Sequence, residues 1–242
     1  MNELSIIVPC LASVDELPEF MDELAAYLMG NPSDIETVIV THEKHHSNES
    51  IADYVKKKYP WLKFRMLQKF GTSISYGALT RLGLAYSTSR YAVLVSPYGE
   101  DNIGIINKML GIIRKGAQVI QVTRYALPED TETVQVRFRI YQYIYRFFTR
   151  ILLGHAISDS TYAFKMFDRI FMQSIGLTQN GRSISPEITI KAILAGGKVE
   201  YLPSGVRPRQ IGSRFKLHKD GLGYIWLLIR GLGHRIKLFP WF

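Results

Sequence analysis

The feature that most constrains the fold is an alternation that fills the first 123 residues. A short apolar run is followed by a segment with helical spacing, and the pair recurs until five runs have passed. Residues 4–10 (LSIIVPC), 35–41 (IETVIVT), 64–67, 91–96 (YAVLVS) and 117–123 read as strands. Continuous apolar runs of this length suit strands covered on both faces rather than half-exposed ones. Between them, residues 15–29, 50–58, 76–87 and 103–114 space apolar side chains as helices do; Leu17, Phe20, Leu24, Tyr27 and Leu28 share one side of the first. Strands joined through helices predict a mainly parallel α/β sheet with helices on both faces. With 47% hydrophobic residues in 242, the chain can bury a sizeable core.

The pattern changes after residue 123. Residues 127–133 read as a polar, acidic loop. Residues 134–153 read as a long helix dense in aromatics and arginines. Short strands are expected at 164–167 and 198–202, helices at 186–195 and 220–238, and a basic, glycine-containing loop at 205–220. Charge changes at the same place. Residues 1–120 hold 12 Lys and Arg against 13 Asp and Glu, whereas residues 121–242 hold 18 against 8. A one-sided excess implies an anionic partner: nucleic acid, acidic lipid or a phosphorylated substrate. No helix-turn-helix, RRM or zinc pattern accompanies it, so no nucleic-acid partner is expected. The single cysteine, Cys10, fits a reducing compartment. The N-terminus lacks a signal-peptide layout, and no charge-free stretch is long enough to cross a bilayer. A cytoplasmic protein is expected, lying against a membrane surface.

The order of these pieces resembles family 2 glycosyltransferases, above all the polyprenyl- and dolichyl-phosphate sugar synthases. Ser158-Asp159-Ser160-Thr161-Tyr162-Ala163-Phe164-Lys165 is similar to the family's D-x-x-(S/C)-G-F-(K/R) segment, with Ala163 replacing glycine. Ser185-Pro186-Glu187-Ile188-Thr189-Ile190-Lys191-Ala192 is similar to its E-(I/L)-x-I-K-A helix. Leu202-Pro203, Arg209, Gly212-Ser213-Arg214 and Lys216 follow its V-P-V…R-x-x-G-x-S-K loop. Asp220-Gly221, Tyr224 and Arg230 follow its closing helix, and Gly77-Ala78-Leu79 with Gly83-Leu84 its earlier G-A helix. The resemblance implies one GT-A domain over residues 1–242, a Rossmann-like nucleotide-diphospho-sugar transferase fold. Residues 1–123 would form its nucleotide-binding half and 124–242 its acceptor- and membrane-facing half.

The resemblance also implies which residues meet which ligand. The nucleotide sugar would lie against Pro9, Leu11, Thr41, Ser96 and Tyr98. At those places, however, the family's P-x-Y-N-E, D-D-G-S and D-x-D signatures are replaced by Pro9-Cys10-Leu11-Ala12-Ser13, Thr41-His42-Glu43-Lys44 and Ser96-Pro97-Tyr98. The D-x-D holds Mg²⁺ or Mn²⁺, which want carboxylate oxygens. Glu100 and Asp101, just downstream, are the carboxylates left for a metal; with Asn102 they also read as the cap of the next helix. Asp159 and Glu187 are the candidate catalytic acids, and a salt bridge to a neighbouring arginine is an equal reading of either. Arg137, Arg139, Arg209, Ser213, Arg214 and Lys216 are the candidate acceptor-phosphate ligands, since arginine grips phosphate bidentately. His42, His45 and His46 read as a solvated loop rather than a metal site.

Two functions are expected. One is an inverting transferase moving a sugar from a nucleotide to a polyprenyl-phosphate or related lipid acceptor at an anionic membrane. The other is a catalytically degenerate relative that binds lipid phosphate or a membrane-protein partner. Aromatics interleaved with cations in 134–153 and 220–238 suit a bilayer interface in both.

Overall fold

A computed structural model describes residues 2–11, 15–29, 34–42, 48–71, 75–124, 136–205 and 217–242. Seven strands form one sheet in the order β3-β2-β1-β4-β6-β5-β7. These are β1 (Leu4–Pro9), β2 (Ile35–His42), β3 (Phe64–Lys69), β4 (Tyr91–Leu94), β5 (Val119–Thr123), β6 (Lys165–Asp168) and β7 (Val199–Pro203). β1 and β2 are buried at every position, polar residues included, as expected for strands covered on both sides.

Helices α1 (Leu17–Met29), α2 (Asn48–Lys58) and α4 (Ile106–Ile113) pack on one face, with Met21, Leu24, Val55, Ile106 and Leu110 meeting Ile6, Val8, Ile39 and Val93. On the other face lie α3 (Tyr76–Tyr86), α6 (Arg169–Ile175) and α7 (Ile184–Leu194). Strand sides explain the split: Ile6 and Val8 serve one core, and Ile7 the other. Gly83 lets α3 lie close on β1, because a Cβ there would overlap the Ile7 side chain.

Helices α5 (Val136–Leu153) and α8 (Leu217–Arg235) form an outer layer. Leu153, Ile190, Leu227, Leu228 and Trp241 make a separate core between them and α7. α7 is therefore enclosed from both sides, and Glu187, Thr189 and Lys191 are buried on it. Among the described residues no helix is long and apolar enough to cross a membrane.

Three details depart from the sequence reading. β6 runs antiparallel to β4 and β5, while every other pairing is parallel. The helix expected at 103–114 opens with a 3₁₀ turn, Ile103–Ile105. α6 was not anticipated; it is a 7-residue piece whose N-terminus is capped by Asp168, accepting from the Phe171 N–H at 2.9 Å. The loop expected at 127–133 lies outside the described residues; of that expected at 205–220, residues 206–216 lie outside them, while 217–220 are helical, because α8 spans Leu217–Arg235 rather than 220–238.

Candidate functional site

The strand order reverses direction between β1 and β4, so a crevice opens beyond their carboxyl ends, where open α/β sheets take ligands. Pro9 pairs with Val40 at the end of β1, and Leu11 packs onto the Val38, Val40 and Leu79 cluster. Thr41 is buried at the end of β2. Tyr98 is also buried, its phenol 3.9 Å from the Cys10 Sγ, so the ends of β1 and β4 touch through these side chains. Burial pushes the Cys10 thiol up to about 12, which makes it a packing group rather than a nucleophile. The structure thus brings Ser96 and Tyr98 together beside β1, with Thr41 one strand further on.

Because β6 is antiparallel, its first residue, Lys165, lies at this same edge, level with Leu94 and Gln121. The whole 159–165 segment is delivered to the crevice for that reason. Asp159 takes a left-handed backbone, φ 48°, which aspartate tolerates better than most residues. Its carboxylate is gripped by Arg124 at the end of β5. Arg124 Nη2 donates to Oδ1 at 2.6 Å, Nε donates to Oδ2 at 2.8 Å, and the Arg124 backbone N–H adds a third bond at 2.9 Å. The guanidinium also sits 4.5 Å from the centre of the Tyr162 ring. Arg124 was missed in the sequence; its place directly after the fifth strand was the available signal.

Asp101 stands at the centre of the site. Its Oδ2 accepts the Ser96 N–H at 2.7 Å, and its Oδ1 takes the Tyr162 hydroxyl at 2.6 Å. It therefore braces the turn after β4 from below. Burial, with the charge of Glu100 added, pushes its carboxyl up to about 7. The cap reading of the Glu100-Asp101-Asn102 cluster holds at Asn102, whose side chain accepts from the Gly104 N–H, while Asp101 turns instead to Ser96 and Tyr162.

The residues present do not fit a carboxylate-held divalent cation. Asp101 already serves two donors, neither Ser96 nor Tyr98 offers a carboxylate, and among the described residues no three His, Cys, Asp or Glu gather as a metal site. His42 is buried as the last residue of β2, not part of a solvated loop, because β2 runs one residue further than expected. His45 and His46 lie outside the described residues.

Glu187 is wholly buried. It accepts from Thr178 N–H at 2.9 Å, Thr178 Oγ1 at 2.6 Å and Gln179 N–H at 2.9 Å, and pairs with Lys191 at 3.3 Å. It ties the 178–179 loop to α7. Lys165 is wholly buried and donates to the Ser160 carbonyl at 2.7 Å and Thr189 Oγ1 at 2.9 Å; burial holds its pKa well below the usual lysine value. Of the candidate phosphate ligands, the side chains of Arg137 and Arg139 and all of Arg209, Ser213, Arg214 and Lys216 lie outside the described residues.

No protein-family profile matches the chain, and no curated protein matches it. Solved structures do. Glucosyl-3-phosphoglycerate synthase from Mycobacterium tuberculosis with phosphoglyceric acid superposes with a TM-score of 0.70 at 14% identity, over 96% of this chain and 80% of that one. The same synthase with Mn²⁺, UDP-glucose and phosphoglyceric acid gives 0.69 at 13%, over 96% and 80%. S. aureus TarS residues 1–349 give 0.63 at 14%, over 95% and 65%. The mostly parallel sheet between helices is the GT-A fold of these structures.

Proposed function

We propose that this chain transfers a sugar from a nucleotide donor to a phosphate-bearing lipid at an anionic membrane surface. One observation carries the reading: an exposed apolar layer stands beside the crevice. On α5, Ile140, Tyr143, Ile144, Phe147, Phe148 and Ile151 are exposed, and on α8 so are Leu222, Ile225, Trp226 and Ile229. The start of α5 reaches the site itself, where Gln142 Nε2 donates to Thr161 Oγ1 at 2.6 Å. Arg146 and Arg150 are exposed among these aromatics, as on a helix lying in a bilayer interface. The similar structures hold UDP-glucose, Mn²⁺ and phosphoglyceric acid.

In this reading Pro9, Leu11, Thr41, Ser96 and Tyr98 wall the donor crevice. The acceptor phosphate is already an anion and needs orientation more than a base. Its oxygen attacks the anomeric carbon, the bond to the nucleoside diphosphate breaks with its electron pair, and the configuration inverts. Asp159 acts by fixing Arg124, and Glu187 by fixing the 178–179 loop; both are positioning residues. Arg137, Arg139, Arg209, Ser213, Arg214 and Lys216 are the proposed phosphate ligands. No step is assigned to Mg²⁺ or Mn²⁺, because Asp101 is committed to Ser96 and Tyr162.

That commitment favours a second reading, a non-catalytic subunit that binds lipid phosphate or a membrane partner through the same layer. Calorimetric titration against UDP- and GDP-sugars, with and without Mn²⁺, separates the two. Transfer predicts saturable binding of one donor, weak and little changed by Mn²⁺. No heat with any donor would leave only the second reading.

The membrane surface is tested separately. The intact chain should sediment with anionic vesicles at low salt and less at high salt. Phe147→Ser with Trp226→Ser, both exposed positions, should reduce sedimentation severalfold with the fold intact. Equal sedimentation of that variant would remove the α5–α8 face from the proposal.

A further inference from the structure

Away from the crevice, the ends of α5, α7 and α8 enclose an open cavity of about 620 Å³. It lies roughly 14 Å along α7 from Ser185, counting 1.5 Å per residue, so it is not the crevice. Its lining is of two kinds. His155, His234, Arg235 and Lys237 supply positive or hydrogen-bonding groups, and among the described residues no acidic one lines it. The rest, with Leu153 and Phe239 foremost, is apolar.

The plainer account of cations here is that they serve helix ends, since three helix C-termini converge and each carries a partial negative charge. The hydrogen bonds answer it. Arg235 does serve α5, donating to the Leu152 carbonyl at 3.1 Å. The end of α7 is closed by the N–H groups of Ala195, Gly196 and Gly197. That of α8 is closed by its own backbone, Leu238 N–H to the Gly233 carbonyl at 2.8 Å and Lys237 N–H to the His234 carbonyl at 3.0 Å. None of these bonds uses the side chains of His155 and Lys237.

Two further details shape the cavity as a receptor. Lys237 holds a left-handed backbone, φ 60°, at a place where glycine is the usual residue, so a lysine stands there against local preference. His234 Nδ1 accepts the Trp241 N–H at 3.1 Å, and its ring stacks on Phe242 at 4.6 Å. With Nδ1 taken by that bond, Nε2 is the ring nitrogen left to meet a ligand. Ile236 and Leu238, which flank Lys237 in sequence, are both exposed, so apolar surface continues outward from the cationic rim.

We infer that this cavity is a second binding site, for an anionic amphiphile whose phosphate meets His155, His234 and Lys237 and whose chain lies along Leu153 and Phe239. It does not depend on sugar transfer or on a bilayer. A free phosphate shares the headgroup chemistry, and the apolar half of the lining favours the lipid.

The test is calorimetry on the full chain with dioctanoyl phosphatidic acid below its micellar concentration, inorganic phosphate, and dioctanoyl phosphatidylcholine. Phosphatidic acid should bind near one per chain, with the other two at least about tenfold weaker. Lys237→Gly removes the cation while suiting the left-handed backbone, and should weaken binding about fivefold, as loss of one cation near an anionic headgroup does. His155→Gln, at an exposed position, should weaken it in the same direction. Phosphate binding as tightly as the lipid overturns the amphiphile. Equal binding of the zwitterionic lipid overturns the anionic headgroup. Unchanged binding by both variants overturns the location.

Discussion

Glu187→Ala is expected to lower the midpoint of thermal unfolding by roughly 6–20 °C. The change leaves the buried Lys191 ammonium without its carboxylate partner and strips acceptors from two backbone N–H groups, Thr178 and Gln179. Breaking one side of a buried pair costs about 3–5 kcal/mol, because the surviving charge is left uncompensated. For a chain of this size each kcal/mol moves the midpoint by about 2–4 °C. Lys191 has some relief, since its ammonium also donates to the Gly176 carbonyl and sits 5.2 Å from the Trp241 ring centre. Burial already lowers its pKa, so part of the cost would be met by losing the proton. The measurement is a calorimetric or circular-dichroism melt of both proteins. A shift below about 2 °C would mean that the loop and Lys191 find other partners, and that Glu187 is not a structural brace.

The same residue shows what could and could not be read in the chain. Strands 4–10, 35–41 and 91–96 were legible because a strand buried on both faces must be apolar throughout, and they emerged within one or two residues of β1, β2 and β4. The long α5 was legible as a run dense in aromatics and arginines. α6 was not, because seven residues give barely two turns of periodicity. The direction of β6 left no mark at all: Lys165–Asp168 would read alike in either sense, yet its antiparallel course carries Asp159 and Tyr162 to the crevice.

The carboxylates posed a different problem. Sequence marked Asp159, Glu187 and Asp101 as acids near the site. What each acid does is set by its partners, and the decisive ones are distant. Arg124 lies 35 residues before Asp159, and Tyr162 lies 61 after Asp101. Local spacing carries no trace of such pairs. The exposed apolar layer was foreshadowed by aromatics interleaved with arginines, but which of them face outward followed only from the packing of α5 and α8 on α7.

Asp101→Asn should remove a pH dependence of stability, and the sign follows from burial. In the unfolded chain the carboxyl loses its proton near 3.8; in the folded chain it keeps it to about 7. Between those values the folded state holds a proton that the unfolded state has lost, so stability falls as pH rises. The contribution is complete below pH 4 and gone above pH 7. A shift of that span corresponds to on the order of 4 kcal/mol. Asparagine stays neutral at every pH and can still accept the Ser96 N–H while donating to the Tyr162 oxygen, so the turn after β4 keeps its brace. Urea unfolding at pH 5 and pH 8 reads the difference. The asparagine variant should be the more stable by about 1–2 kcal/mol at pH 5 and by about 4 kcal/mol at pH 8. A difference that does not change with pH would place Asp101 in a wetter, ionised setting, with a carboxylate charged at neutral pH beneath the β4 turn. The objection to a divalent cation at Ser96 and Tyr98 would then weaken, and transfer assisted by such an ion would return as the stronger reading of the crevice.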